Sequence, residues 1–341
     1  MWSGVVSDLP GLDLERLAGY LRAEGVTDKP LTGEVIAGGR SNLTYAVTDG
    51  EHRWVLRRPP LGHVLATAHD MGREFRVMAA LAPTGFPVPP MVHLCLDDTV
   101  LGAPFYLMGF VDGDILRTGA ALAHLGPDAV RERVLALVDT LADLHRVDPD
   151  ASGLAGFGKP DGYNERQVRT WTRQLAASRS RDLPGAEELA ERLAGNVPPT
   201  SEATIVHGDF RLDNVIFAGG RVAAVLDWEM STLGDPLADL ALMLTYVAFP
   251  VPQPDGAESA PTDAPGHPTV DEMIGRYAAA SGRDVSSLRW YRAFAAFKLA
   301  AILEGVHYRF TQGLTVGTGF DTIGARVVPL VAAGRAILEG D

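Results

Sequence analysis

The chain has 341 residues, 46% of them apolar, a formal net charge of −13 and a single cysteine, Cys95. Such length and apolar content suffice for two cores, one cysteine excludes an internal disulfide framework, and strong acidity opposes binding to nucleic-acid phosphates. The acidity keeps a protein soluble or mildly attracts a cationic small molecule, and charge alone does not choose between these.

Residues 1–8 lack the basic start and apolar run of a secretory signal, and the longest apolar stretch, Leu240 to Val251, is shorter than the roughly 20 residues a bilayer requires. The expectation is a cytoplasmic protein without a membrane segment. Strand-prone runs follow at residues 33–36, 44–47 and 54–57, separated by Gly38-Gly39-Arg40-Ser41-Asn42 and by Asp49-Gly50. A helix is expected over 66–81, closed by Pro83, then strands near 91–95 and 105–110. This order predicts an antiparallel sheet carrying a single helix.

Beyond Asp112-Gly113 the period becomes helical, with Val130, Val134, Leu137, Leu141 and Leu144 on one stripe ending at His145. Further helices are expected near 165–177, 185–194, 271–280, 288–308 and 323–338, with a small β region between Ile205 and Leu226. Residues 250–268 hold few core formers and read as an exposed loop, either a lid or a disordered insertion.

The segment His207-Gly208-Asp209-Phe210-Arg211-Leu212-Asp213-Asn214 has the H-x-D-x-x-x-x-N spacing of a kinase catalytic loop. Asp209 suits a base that orients an attacking hydroxyl and takes its proton, and Asn214 offers Mg²⁺ a neutral oxygen. By itself the octet also fits an ordinary turn between strands. A two-residue turn at Gly219-Gly220 would pair Asn214 with Val225 and leave Asp227 about 7 Å further along the strand, close enough to share one magnesium ion with Asn214.

With its sequel Leu226-Asp227-Trp228-Glu229 and the later Gly234-Asp235-Pro236-Leu237-Ala238-Asp239, this string resembles the aminoglycoside phosphotransferase and choline kinase-like family, small-molecule kinases with a protein-kinase-like fold. The resemblance implies an α+β bilobal architecture: a nucleotide-binding lobe over 1–110, with an antiparallel sheet and one helix, and a mainly helical lobe over 111–341. It implies ATP and Mg²⁺ as cofactors, a small-molecule hydroxyl as acceptor, Asp209 as catalytic base, and Asn214 and Asp227 as metal ligands. Glu229 either reaches metal-bound water or solvates the loop. Asp235 or Asp239 is expected to cap a helix and brace the catalytic loop. No obligate protein partner is implied.

No G-x-x-x-x-G-K-[ST] motif is present, which disfavours a P-loop enzyme. Gly39, Ser41 and Asn42 form a small-residue loop suited to close approach of phosphates. A two-residue turn at Asp49-Gly50 would pair Thr44 with Val55 and set Arg57 opposite Asn42, bringing a cation to that loop. The kinase pattern has lysine at position 57; arginine also neutralises phosphate, with a planar fork. Glu74 lies on the apolar stripe of Met71, Phe75, Met78 and Leu81, so its carboxylate needs a cation, and Arg57 is the expected partner. Backbone groups from Met108 to Phe110 are expected to meet adenine, by the same resemblance.

The runs Gly39-Arg40-Ser41-Asn42-Leu43-Thr44-Tyr45, Val55-Leu56-Arg57-Arg58-Pro59-Pro60, Arg166-Gln167-Val168-Arg169-Thr170-Trp171 and Glu304-Gly305-Val306-His307-Tyr308-Arg309 are most similar to kinase-like domains associated with acyl-CoA dehydrogenases. In that branch the implied acceptor is a hydroxyacyl-CoA; an aminoglycoside is the rival, and a catalytically silent nucleotide-binding regulator is the alternative of a different class. Arg211, Trp171, Tyr246, His307 and Tyr308 either line the acceptor region or pack in the core.

Overall fold

The computed structural model describes residues 9–36, 42–61, 69–200, 202–249, 261–314 and 320–340. It divides into two compact units, one of Met1–Gly113 with Ala223–Glu229, the other of Asp114–Val222 with Met230–Asp341.

In the first unit, helix α1 (Leu14–Ala23) precedes strands β1 (Thr32–Val35), β2 (Leu43–Thr48) and β3 (Arg53–Arg58). Helix α2 (Met71–Leu81), β4 (Met91–Cys95), the short α3 (Asp98–Leu101) and β5 (Phe105–Gly109) complete it. The sheet is antiparallel, in the order β1-β2-β3-β5-β4.

The structure adds α1 and α3 to the expected sheet and helix. Asp13 caps α1 by accepting from the amides of Glu15 and Arg16, and Leu17 and Leu21 are fully buried against Tyr45, Val47, Leu56, Phe105 and Leu107. Helix α2 starts at Met71 because the Asp70 carboxylate accepts from the Arg73 amide and ends the extended chain there. Of the earlier turn expected for it, residues 66–68 lie outside the described residues.

The β2–β3 register departs from the expected one. Thr48 pairs with Arg53 and Thr44 with Arg57, so the turn spans four residues rather than two. Asp49 makes the difference: its carboxylate accepts from the amides of Glu51 and His52 at 2.9 and 2.7 Å and from the Thr27 hydroxyl at 2.8 Å. The shift is two residues, an even number, so Arg57 keeps its expected face of the sheet.

The second unit is mainly helical. Helices α4 (Gly119–Ala123), α5 (Pro127–Arg146), α6 (Tyr163–Ser178) and α7 (Ala186–Gly195) lead to strands β6 (Thr204–Val206), β7 (Val215–Ala218), β8 (Arg221–Val225) and β9 (Thr232–Gly234). Then come α8 (Pro236–Ala248), α9 (Val270–Ser281), α10 (Leu288–Thr311) and α11 (Val327–Glu339). The last begins as a 3₁₀ turn over Ile323–Arg326. No described helix is long and apolar enough to cross a membrane.

Two details of the β region correct the strand argument for the metal ligands. Asn214 closes a 3₁₀ turn ahead of β7, and β8 ends at Val225, so strand alternation does not extend to Asn214 or Asp227. The two-residue turn between Ala218 and Arg221 is present, with Gly219 at φ +62°. In the 250–268 segment, residues 250–260 lie outside the described residues. Beyond them the chain is held: Ala264 is buried, and Gly266 lies so close to the Pro127 carbonyl that no Cβ fits.

Candidate active site

In the first unit, β3 delivers Arg57 to a buried cluster of carboxylates. Its Nε lies 3.4 Å from Glu74 Oε2, its Nη2 bonds Asp227 Oδ1, and Glu229 Oε2 is 4.0 Å away. Glu74 is 1% exposed, so its charge depends on these contacts. The Tyr106 hydroxyl donates to its Oε2 at 2.9 Å and Asn42 Nδ2 to its Oε1 at 3.3 Å.

Asn42 also donates to Glu229 Oε2 at 3.3 Å and accepts from His69 Nδ1 at 2.8 Å. Burial alone would lower the pKa of Arg57, but the surrounding acids, Glu74 and Asp227 among them, hold it above the usual guanidinium value, so it is a permanent cation. The expected Arg57–Glu74 pair and Asn42 therefore meet in one network. Gly39 and Ser41 lie outside the described residues.

Asp227 is the one non-glycine residue with positive φ, +66°, among the described residues. That left-handed conformation is uncommon for a side chain and more accessible to Asp than to most. Trp228, fully buried, anchors the bend by donating from Nε1 to the Val225 carbonyl at 3.0 Å and meeting Phe86 edge-on.

At the end of β5, Met108 is held in the ladder opposite Val55 and Met91. The Gly109 amide donates to Pro90 O at 2.7 Å and the Phe110 amide to Arg53 O at 3.0 Å. Of the backbone groups from Met108 to Phe110 expected to meet adenine, the Gly109 and Phe110 amides are thus engaged within the protein.

In the second unit the catalytic-loop residues follow β6, and a buried carboxylate fixes their backbone. Asp239 on α8 accepts from the amides of His207 and Gly208 at 2.6 and 2.8 Å. His145 Nε2 stands 3.4 Å from the same carboxylate, and its Nδ1 meets the Tyr277 hydroxyl at 2.7 Å. Burial would raise the pKa of Asp239; contacts with His145 and His207 outweigh it and lower it.

The other bracing candidate, Asp235, caps α8 through the Leu237 amide at 3.0 Å and accepts from Asn164 Nδ2 and Tyr291. Capping and loop bracing are therefore divided between the two aspartates. Gly208 has φ +86°, and a Cβ there would fall 2.7 Å from the Met230 carbonyl oxygen. An H-R-D sequence cannot be seated in this loop without moving the backbone.

Asp209 lies between these braces. Asn214 Nδ2 donates to its carbonyl at 2.9 Å and to its Oδ2 at 3.1 Å, while the buried Oδ1 has no hydrogen-bond partner among the described residues. Asp209 lines a cavity of about 490 Å³ bounded by α6, α8 and α10, with Trp171, Tyr246 and Met230 among its walls. Burial and the negative charge of Asp209 raise the phenol of Tyr246 well above its ordinary value.

Of the expected lining residues, Trp171 and Tyr246 do face this cavity. Arg211 instead pairs with Asp213 and sits 4.8 Å above the Tyr246 ring, His307 packs on Gly324, and Tyr308 is partly exposed. Sequence reasoning missed Lys298 and Gln174. Lys298 carried a signal, as the one lysine in the long apolar stretch that becomes α10.

The profile described as "Phosphotransferase enzyme family" matches residues 32–293. Acyl-CoA dehydrogenase family member 11 of Gallus gallus is 39% identical over 306 residues, covering 87% of this chain and 39% of that protein. Acyl-CoA dehydrogenase family member 10 of Mus musculus is 40% identical over 280 residues, covering 81% and 26%. The chain thus spans well under half of these relatives.

Among solved structures, a Ralstonia eutropha protein described as a candidate aminoglycoside phosphotransferase superposes with a TM-score of 0.82 at 32% identity, covering 96% of this chain and 98% of its own. Choline kinase from Cryptosporidium parvum gives 0.66 at 13% identity, covering 96% and 97%. The fold is kinase-like, with an antiparallel N-terminal sheet and a helical C-terminal part.

Proposed function

We propose, from the premise that the chain belongs to the phosphotransferase enzyme family, that it transfers the γ-phosphate of ATP to a hydroxyl of a small molecule. The observation that carries this reading is the Asp209 carboxylate: one oxygen is tied to Asn214, the other is buried without a hydrogen bond among the described residues, and the residue lines a cavity. A hydroxyl entering that cavity supplies the missing donor. Its proton passes to Asp209 as its oxygen bonds to the γ-phosphorus and the bond to the ADP oxygen breaks.

Arg57 is assigned to the nucleotide phosphates. Its Nε is buried without a hydrogen bond, and its permanent charge offsets theirs. Asn42 and Glu74 hold that guanidinium in place. A purine is assigned to the backbone from Met108 to Phe110, where the Gly109 and Phe110 amides are engaged and the remaining backbone groups would meet it.

A divalent ion fits the donor chemistry of Asn214, whose NH₂ is turned to Asp209 and whose amide oxygen remains for a metal, and of the Asp227 carboxylate. Mg²⁺, when bound, neutralises charge on the transferring phosphate. Asp239 keeps the amides of His207 and Gly208 fixed and so keeps Asp209 oriented.

Hydroxyacyl-CoA is the acceptor put forward, with an aminoglycoside as the rival; the relatives are named for acyl-CoA dehydrogenases and the solved structure for an aminoglycoside phosphotransferase. A cytoplasmic location is part of this reading, and cell fractionation checks it. Acceptor-dependent ADP release, screened over alcohols, aminoglycosides, macrolides and hydroxyacyl-CoAs, tests the reading. Asp209→Asn is expected to lower kcat by about 10²–10⁴-fold with ATP affinity retained, and undiminished turnover would remove Asp209 from the mechanism. Arginine at position 57 favours a second reading, a silent nucleotide-binding regulator; it predicts magnesium–ATP binding with no transfer to any acceptor.

A further inference from the structure

Lys298 is 8% exposed, lies on α10 and contributes to the wall of the cavity that holds Asp209. Its Nζ donates to the Gly208 carbonyl at a long 3.4 Å and sits 5.4 Å from the centre of the Trp171 ring. No carboxylate among the described residues is within ion-pair distance of it. A lysine ammonium carries three donors, so two remain for whatever enters the cavity.

The remaining lining residues narrow what that is. Arg309, at the exposed end of α10, adds a second cation, and Asp209 is the only carboxylate among the lining residues. A polycation would meet like charge from Lys298 and Arg309, whereas a ligand with a negative group would supply the counterion that Lys298 lacks. Trp171, Ala177, Met230, Ala301 and Ile302 add apolar surface beside the uncharged polar Gln174, Ser178 and Tyr246. The neighbouring Gly208 contact puts the ammonium one residue from the base.

We propose that Lys298 is the specificity-determining residue of the acceptor cavity, selecting amphipathic hydroxyl compounds that carry an anionic group and excluding polycations. This rests on the phosphotransferase reading only for the word acceptor; the ligand preference follows from the cavity. Burial lowers the Lys298 pKa by more than Asp239 and Asp209 raise it, and an anionic ligand would favour the charged form.

Calorimetric titration of the full chain with 3-hydroxydecanoate, 1,3-decanediol and kanamycin tests this without phosphate transfer. The hydroxy acid is expected to bind at least tenfold more tightly than the diol, and kanamycin most weakly. Lys298→Met should bring the acid-to-diol ratio close to one while leaving diol binding and ATP affinity unchanged. Arg309→Gln, at an exposed site where folding is not at risk, should lower the ratio a few-fold.

A ratio unchanged in Lys298→Met, kanamycin binding equal to that of the acid, or no binding by the acid would each overturn the proposal. Lys298-dependent acid binding without ADP release would leave it standing and refute the phosphotransferase reading instead.

Discussion

The two units fix their functional side chains by different physical means. In the first, Arg57 is held by charge: Glu74, Asp227 and Glu229 surround one guanidinium, and Tyr106 and Asn42 take up remaining carboxylate valences. In the second, Asp209 is held through its backbone, by Asp239 on two amides, by Asn214 on a carbonyl and by the positive φ of Gly208. The buried cation of that unit, Lys298, has no such cage. Charge caging resists loss of any one partner poorly, while backbone bracing resists rearrangement; a cation outside a cage is free to serve a ligand.

The contrast is easiest to break at Arg57. Arg57→Met strands Glu74 and Asp227 without their counterion and is expected to lower stability by roughly 3–5 kcal/mol in urea denaturation, along with ATP affinity. Arg57→Lys should recover most of the stability. If Arg57→Met costs nothing, the cage does not stabilise the first unit.

Next in size is Gly208→Ala, which places a Cβ against the Met230 carbonyl at a positive φ. A loss of about 1–3 kcal/mol is expected, with kcat falling more than acceptor KM rises, since the base is displaced while the cavity walls remain.

A pH titration of stability reads the brace itself. Burial holds the His145 imidazole below its ordinary 6.5, so the unfolded chain takes up a proton first and stability declines as pH falls below 6.5. Asp239, held below 3.8, adds a second decline as pH drops under that value. His145→Gln should remove the upper step in denaturation midpoints measured across pH; its persistence would assign that step to another group.

The smallest effect is predicted for Lys298→Met. With no ion pair to break and a side chain of similar length, stability should change by no more than about 1 kcal/mol, in contrast with Arg57→Met. A large loss would mean that Lys298 is a structural member of the loop.

Much of this was legible in the chain. Turn residues and strand-prone runs gave the sheet, and Glu74 on an apolar stripe gave the Arg57 partner, because a buried carboxylate demands a cation wherever the helix packs. The β2–β3 register was not, since Asp49 widened the turn through bonds to Thr27, 22 residues earlier, and turn composition does not report such contacts. Helix α1 was readable from Asp13 and the spacing of Leu14, Leu17, Ala18 and Leu21. Lys298 lacked a motif; its meaning depends on which face of α10 borders empty space, and periodicity cannot supply that on a helix buried nearly all round.

The discontinuity of the first unit has a consequence in time. Residues 223–229, which include Asp227, join a unit whose other members end at Gly113. During synthesis at roughly 5–20 residues per second, the 116 residues from 113 to 229 take about 6–23 s to emerge. Throughout that interval Arg57 lacks Asp227 and Glu229, and the nascent sheet waits on a segment encoded well downstream. A ribosome-bound chain halted before Asp227 should therefore be more open to protease than one halted just after Glu229.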